Sequence, residues 1–468
     1  MDYSTETFEP PAPTPRDRPP GRLEVIRIVL RNPLELWGNP AYTWPWIATK
    51  FFNQRSLIIN HPGLVKHVLV DNASNYKMQP IRQLVLRPIL RDGLLTAEGP
   101  VWKRTRKAIA PVFTPRHSRG FAAQMHAKSI EFVEEHYASA GSDGQIVDAS
   151  VDMAQLTFAI LSETLFSGEI AVPADSFSDD TEKLMHRMGR IDPMDLLQAP
   201  PWVPRLSRIG GAAVLGKFRD IVTKTIDMRR ERIAADPSNV PQDFLTLMLQ
   251  QTGEEGLTED ELQDNILTFI GAGHETTARA MAWTLYCTAS VPRIRERMET
   301  EIDTVLASDV DPVEWLDRMP YVRAAFEEAM RLYPPAPSLN RMAIADDVWI
   351  SDTGERVEIP AGMTVLVMPW TLHRHELWWE KPRAFIPERF LPENRKSIDR
   401  FQYLPFGAGP RVCIGAVFAL QEAVIALAVL MSRFRFEITP ETRPWPVQRL
   451  TVQPQDGMPM RVVPRVRQ

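Results

Sequence analysis

The run Phe406 to Gly415, FGAGPRVCIG, sets one of only two cysteines in a loop built to hold an ionised sulfur. Gly407, Gly409 and Gly415 permit tight turns and close approach of a flat ligand, and Arg411 places a fixed cation two residues before the sulfur. Ala416 to Met431 reads as a helix whose free N–H groups and positive dipole end would point back at Cys413. These features favour the thiolate, the form that binds a metal. A lone thiolate suggests haem iron rather than zinc.

Three further constellations carry chemistry. Gly271 to Thr277 reads GAGHETT: two glycines weaken a helix there, and His274, Glu275, Thr276 and Thr277 bring polar groups where a core helix should be apolar. Alone, this could be close glycine packing with threonines bonding back to the preceding turn. Trp102 and Arg106 stand four apart, which puts an indole N–H and a guanidinium on one helical face, both able to bind a carboxylate. Glu328 and Arg331 lie one turn apart and alone read as a surface ion pair.

The elements that must position these groups are mostly helical. Thr258 with Glu261 forms a capping-box start, and Pro292 forbids continuation, so one helix is expected from Glu259 to Ser290. At about 1.5 Å per residue it spans roughly 48 Å, enough to cross the molecule. Extended segments are expected at Ser56–Ile59, Val348–Ile350, Val357–Ile359 and Thr364–Met368, a small sheet beside a helical body. With 44% hydrophobic residues, 41 prolines and no linker-like break, residues 23–468 read as one large domain with abrupt helix ends. Residues 1–22, with six prolines, read as a disordered arm. Uninterrupted apolar runs fall short of a membrane span, since Gln421 and Glu422 break the helix after Cys413, so no integral anchor is expected. Cys287 reads as a core thiol rather than a disulfide partner, which fits a cytoplasmic setting.

Together with PERF at Pro387 to Phe390, these runs resemble the motif set of the cytochrome P-450 family, in the family's order from Trp102 to Gly415. The resemblance implies a mainly α fold with a minor β-sheet domain: a triangular helical body with a long central helix over the haem. It implies haem b (iron protoporphyrin IX) with Cys413 as axial thiolate. Phe406, Gly407, Ile414 and Gly415 would complete the cofactor loop, and Ala272 and Gly273 would lie over the haem, where the family's helix is locally distorted to leave a groove for dioxygen. Trp102, Arg106, Arg341 and Arg411 match the propionate partners; many soluble bacterial relatives carry histidine in place of Arg411. Thr276 matches the alcohol, and Glu275 the proton-relaying acid, of oxygen activation. Glu328, Arg331 and Arg389 match a structural triad beneath the cysteine loop.

The implied activity is a monooxygenase inserting one atom of O2 into a C–H bond of a hydrophobic small molecule, with two electrons from separate partners. No stretch remains for a fused reductase, so a ferredoxin or flavodoxin with its reductase is expected, received by Lys103, Arg104, Arg106 and Lys107 on a monomer of net charge −5 that does not bind nucleic acid. Leu95, Ala272, Thr276 and Ser338 are the expected substrate contacts, in an apolar cavity. Arg82, Arg87 and Arg91 could catch a carboxylate or equally be surface charges, so fatty acids stand beside terpenoids, steroids and aromatic molecules. Pro200, Pro201, Trp202 and Pro204 are expected to cap two mobile helices that open the pocket. A peroxide-using haem-thiolate enzyme (peroxygenase) and a non-catalytic haem-binding sensor stay open as alternatives.

Overall fold

The computed structural model describes residues 7–51, 54–171, 211–253 and 256–465, with single residues at 192, 194, 203 and 205. The helices that matter for the site are α1 (Pro80–Leu90), α2 (Gly99–Ile109), α3 (Ala122–Tyr137), α4 (Ala149–Phe166), α5 (Gly211–Ala235), α6 (Glu259–Ala289), α7 (Pro320–Leu332) and α8 (Ala416–Arg433). The strands are β1 (Trp46–Phe51), β2 (Gln54–Ile59), β3 (Tyr76–Met78), β4 (Gln145–Asp148), β5 (Arg341–Ala343), β6 (Asp347–Ile350), β7 (Arg356–Ile359), β8 (Thr364–Val367), β9 (Phe434–Ile438), β10 (Pro446–Gln448), β11 (Val452–Pro454) and β12 (Pro459–Pro464). They form a five-stranded sheet in the order β1-β2-β8-β5-β3, with only β2–β8 parallel, a three-stranded sheet β4-β12-β9, and the hairpins β6–β7 and β10–β11.

The central helix starts where its sequence dictates. Thr258 accepts from the Glu261 N–H at 3.2 Å while Glu261 accepts from the Thr258 N–H at 3.0 Å, which satisfies two otherwise orphaned donors. α6 ends at Ala289, one residue before the expected Ser290. It is buried along most of its length and packs lengthwise on α4. Trp283 stacks on Tyr333 at 3.7 Å between centroids, and both are fully buried. Each such large apolar side chain contributes about 1.5–3 kcal/mol. The helix runs unbroken through Gly271 and Gly273, so the local distortion implied by the resemblance is not seen. Thr276 Oγ1 donates to the Ala272 carbonyl at 2.8 Å and Thr277 Oγ1 to the Gly273 carbonyl at 3.4 Å, bonds that keep both hydroxyls on the helix itself.

Two expectations need correction. Residues 7–21 are not a disordered arm. Phe8 packs edge-on against Tyr286 at 6.0 Å, the Phe8 carbonyl accepts from the Phe385 N–H at 2.9 Å, and the Pro11 carbonyl accepts from Tyr333 Oη at 2.8 Å. Proline richness here fixes an extended strap whose carbonyls are met by the core. Residues 1–6 lie outside the described residues. The second concerns α8, which by length and composition could cross a membrane, yet 72% of it is buried inside the protein. Gln421 and Glu422 interrupt its apolar run yet are both buried, and burial, eased by the Thr277 hydroxyl, pushes the Glu422 carboxyl well above the usual range. α8 is a core helix packed on α3.

The four expected strands all form, each within two residues of its expected ends. β1, β3, β4, β5 and the C-terminal strands were not expected, although β9 alternates cleanly as Phe434, Arg435, Phe436, Glu437 and Ile438.

Candidate active site

The cysteine loop is shaped by its own backbone. Gly407 and Gly409 adopt φ of 71° and 72°, and at Gly409 a Cβ would lie 1.8 Å from the Leu69 carbonyl, so no other residue fits. The Cys413 N–H donates to the Phe406 carbonyl at 2.8 Å, which closes the loop and presents the sulfur. A Cβ on Gly415 would meet nothing within 4 Å, leaving open space beside the thiol. Phe406, Ile414 and Gly415 are half-buried around it.

Cys413 is enclosed by protein yet accessible, which means that it opens onto an internal hollow rather than the outer surface. The same holds on α6, where Ala272 is exposed although Gly271, His274 and Glu275 are buried. Burial pushes the Cys413 thiol up; the Gly415 N–H and the Arg106 guanidinium pull it down without winning. A metal cation at the sulfur replaces the proton and offsets this desolvation.

A cationic cluster surrounds this loop. Arg411 lies over the Trp102 ring at 4.6 Å from the centroid and donates to the Ala97 carbonyl at 2.7 Å. Arg341 donates to the Leu339 and Asn340 carbonyls at 3.2 and 3.1 Å. Burial, then repulsion from Arg82 and Arg411, depresses Arg341 to about 10. Burial, relieved in part by Glu98 and reinforced by Arg82 and Arg106, leaves Arg411 at about 10 as well. Arg106 is lowered by burial. Arg341 and Arg411 both feel the Glu98 carboxylate, which is itself engaged by the Met78 N–H at 2.6 Å. Such a cluster is costly unless anions join it. Two propionates of a haem supply that charge, and an accessible thiol, an open glycine face and a small-residue turn of helix fit the rest of the group.

The fourth arginine comes from the trio Arg82, Arg87 and Arg91, which the sequence leaves open between carboxylate contacts and surface charges. Arg82, on α1, faces Arg341 and Arg411 and belongs to this cluster, whereas Arg87 is exposed and paired with Asp92 at 3.0 Å, and Arg91 is exposed at the end of α1. Position alone could not separate three arginines on one short helix. Of the expected substrate contacts, Leu95, Thr276 and Ser338 are half-buried and Ala272 is exposed. Leu95 is placed by the roof loop, since the Leu94 N–H donates to Asn265 Oδ1 of α6 at 2.8 Å. Gly273 packs close to Leu161 of α4. The proline stretch at Pro200, Pro201, Trp202 and Pro204 lies outside the described residues.

Glu328, Arg331 and Arg389 do meet. Arg331 is bidentate to Glu328 at 2.7 and 2.8 Å, Arg389 reaches the same carboxylate at 3.4 Å, and all three are buried. Arg331 also donates to the His373, Pro382 and Ala384 carbonyls at 2.6, 2.7 and 2.8 Å. His373 was not foreseen. Burial, then the Arg331 charge, holds it well below its usual range, so the neutral ring receives the Leu404 N–H at Nε2, 2.8 Å away.

Comparison with known proteins agrees with this geometry. The family model described as Cytochrome P450 matches residues 43–460. Cyclooctatin synthase of Streptomyces melanosporofaciens is 31% identical over 94% of this chain and 93% of its own length. Carotene epsilon-monooxygenase of Arabidopsis thaliana is 28% identical over 91% and 82%. The crystal structure of the cytochrome P450DA heme domain shares the fold with a TM-score of 0.77 at 24% identity, covering 98% of both chains. A second cytochrome P450 crystal structure gives 0.79 at 25% identity over 98% of this chain and 100% of the other. A match that runs from β1 to β12, on a fold with an enclosed cysteine and a buried cationic cluster, shows that the chain belongs to the cytochrome P450 family of haem-thiolate monooxygenases.

Proposed function

We propose that this protein hydroxylates an uncharged, apolar small molecule, terpenoid-like in size, with Cys413 as the axial ligand and Thr276 and Glu275 handling protons. The observation that carries the substrate reading is Arg82. Four arginines, one glutamate and two propionates leave a nearly balanced site, and with Arg82 committed there and Arg87 and Arg91 at the surface, no arginine of α1 remains to hold a substrate carboxylate. Relatives named for carotene and cyclooctatin chemistry support the same class.

The bound haem supplies oxygen activation. Trp102, Arg106, Arg341, Arg411 and Arg82 would hold its carboxylates, and the glycine-lined loop would bring Cys413 to its iron. Leu95, Ala272 and Ser338 shape an apolar space that excludes water from the reacting C–H bond. Thr276 presents its hydroxyl on the same face as Ala272, where it can hold a water in place, and Glu275 stands one residue away as the acid. Thr276→Ala is expected to lower dioxygen-driven product formation about a hundredfold while peroxide-driven turnover persists. Equal losses under both conditions would favour the peroxygenase, and no product under either the sensor. Titration with terpenoids and with fatty acids of matched carbon number, followed by the spin-state shift, tests the substrate class.

Electrons arrive in this proposal from a separate ferredoxin or flavodoxin-type protein, to a monomer in the cytoplasm. Lys103 and Lys107 are exposed on α2, whose Trp102 and Arg106 face the cofactor side. Arg104 is instead paired with Glu261 of α6. Lys103→Glu with Lys107→Glu should slow reduction about tenfold at low salt and less at high salt. A salt-independent rate equal to the parent's would remove this surface from consideration.

A further inference from the structure

The acid on α6 is not poised toward the oxygen groove. Residues four apart share a helical face and neighbours in sequence are about 100° apart, so Ala272 and Thr276 line one face of α6 while Glu275 and Arg279 line the next. The first face opens to the interior hollow; the second is packed against α4 and the β10–β11 hairpin. There, Thr451, in the turn between β10 and β11, donates through Oγ1 to Glu275 Oε1 at 2.8 Å. Thr451 is 4% exposed and Glu275 8%. Arg279 Nε stands 3.9 Å from the same oxygen, and its guanidinium donates to the Ser150 carbonyl and hydroxyl on α4. Ser150 in turn donates its N–H to Asp148 at 2.9 Å. Glu275 Oε2 and Arg279 Nε are buried with no hydrogen-bond partner. A buried carboxyl with one oxygen held and one unsatisfied is at rest but not at its best position.

We propose that Thr451 is a positioning residue for oxygen activation: its hydroxyl latches Glu275 off the Ala272/Thr276 face, so the carboxyl must leave Thr451 before it can serve the groove. The proposal rests on the reading of Glu275 as the proton-supplying acid. The latch is anchored at both ends of its hairpin. The Val452 N–H donates to the Pro335 carbonyl at 3.2 Å, in the segment that carries Ser338, and the Gln448 N–H donates to Asn32 Oδ1 at 3.1 Å. Arg449 reaches the Arg31 carbonyl at 2.8 Å. The hairpin thus fixes Thr451 against movement of α6, and only side-chain rotation of Glu275 breaks the contact.

Thr451→Val keeps shape and removes the donor; Thr451→Ser keeps the donor. Without the latch, proton delivery no longer waits for substrate, so electron consumption and hydrogen peroxide release in the absence of substrate should rise about five- to tenfold, the worth of one buried hydrogen bond. Thr451→Ser should restore the parent value. A second readout needs no turnover: in isotope-edited infrared spectra of the resting protein, the carboxyl band that Glu275→Gln removes should shift in Thr451→Val and stay in place in Thr451→Ser. A band and a substrate-free electron consumption both unchanged in Thr451→Val, in protein with the parent's haem content, would overturn the latch. If Glu275→Gln itself turns over dioxygen like the parent with the same solvent isotope effect, the assignment of Glu275 fails, and the latch loses its role with it.

Discussion

Cys413→Ser abolishes the thiolate-type absorption band of the reduced, carbon monoxide-treated protein and lowers dioxygen-dependent product formation by at least about a thousandfold. The expectation follows from how little else could replace the sulfur. Cys287 is the only other cysteine, is fully buried within α6, and burial pushes its thiol well above the usual range. Cys287→Ala should therefore change stability alone. At position 413, serine retains the loop, because the closing bond to Phe406 uses the backbone N–H and the positive φ angles belong to Gly407 and Gly409. What serine lacks is a soft anion that donates electron density to iron and assists O–O cleavage. Reduced protein is mixed with carbon monoxide and scanned. A serine variant that keeps the parent's band would remove Cys413 as the ligand while leaving the fold intact.

The cysteine loop was legible because its chemistry is local. Glycines that need positive φ, a cation and a sulfur all fall within ten residues, and the structure places them as the spacing implies. The central helix was legible for the same reason, through Thr258, Glu261 and Pro292. What the sequence hid depends on long-range packing. Pro10 to Pro20 has the composition of an unfolded arm, but its order comes from Tyr333 and Phe385, more than 300 residues away. The helix dipole and Arg411 beside Cys413 are visible in sequence, whereas the desolvation that pushes its thiol up is a property of the folded enclosure. Arg82 and Thr451 act on groups that the fold brings together from distant segments. His373 sits in the stretch LHRH, which alone resembles nothing in particular.

That histidine decides how far the damage travels when the buried triad is broken. In Arg331→Met the Glu328 charge is left without its bidentate partner at a site with no exposure, and three carbonyls lose their donor. Removing one member of a buried pair costs about 3–5 kcal/mol. For a chain of this length that lowers the thermal midpoint by about 3–5 °C. The loss also reaches the cofactor loop. Arg331 holds the His373 carbonyl, His373 Nε2 receives the Leu404 N–H, the Leu404 carbonyl accepts from the Gly407 N–H at 3.1 Å, and the Cys413 N–H is bound one residue earlier at Phe406. Haem retention should therefore fall by more than the melting shift alone implies. Arg389→Met removes a single 3.4 Å contact to the same carboxylate and a bond to the Lys381 carbonyl, so its cost should be nearer about 1–2 kcal/mol. The double variant Glu328→Gln with Arg331→Met should recover part of the loss, because no unpaired charge remains in the core. Thermal melts and haem-to-protein ratios of the four proteins separate these effects. An Arg331→Met protein that melts with the parent and retains full haem would show that the ion pair neither stabilises the core nor positions the cysteine.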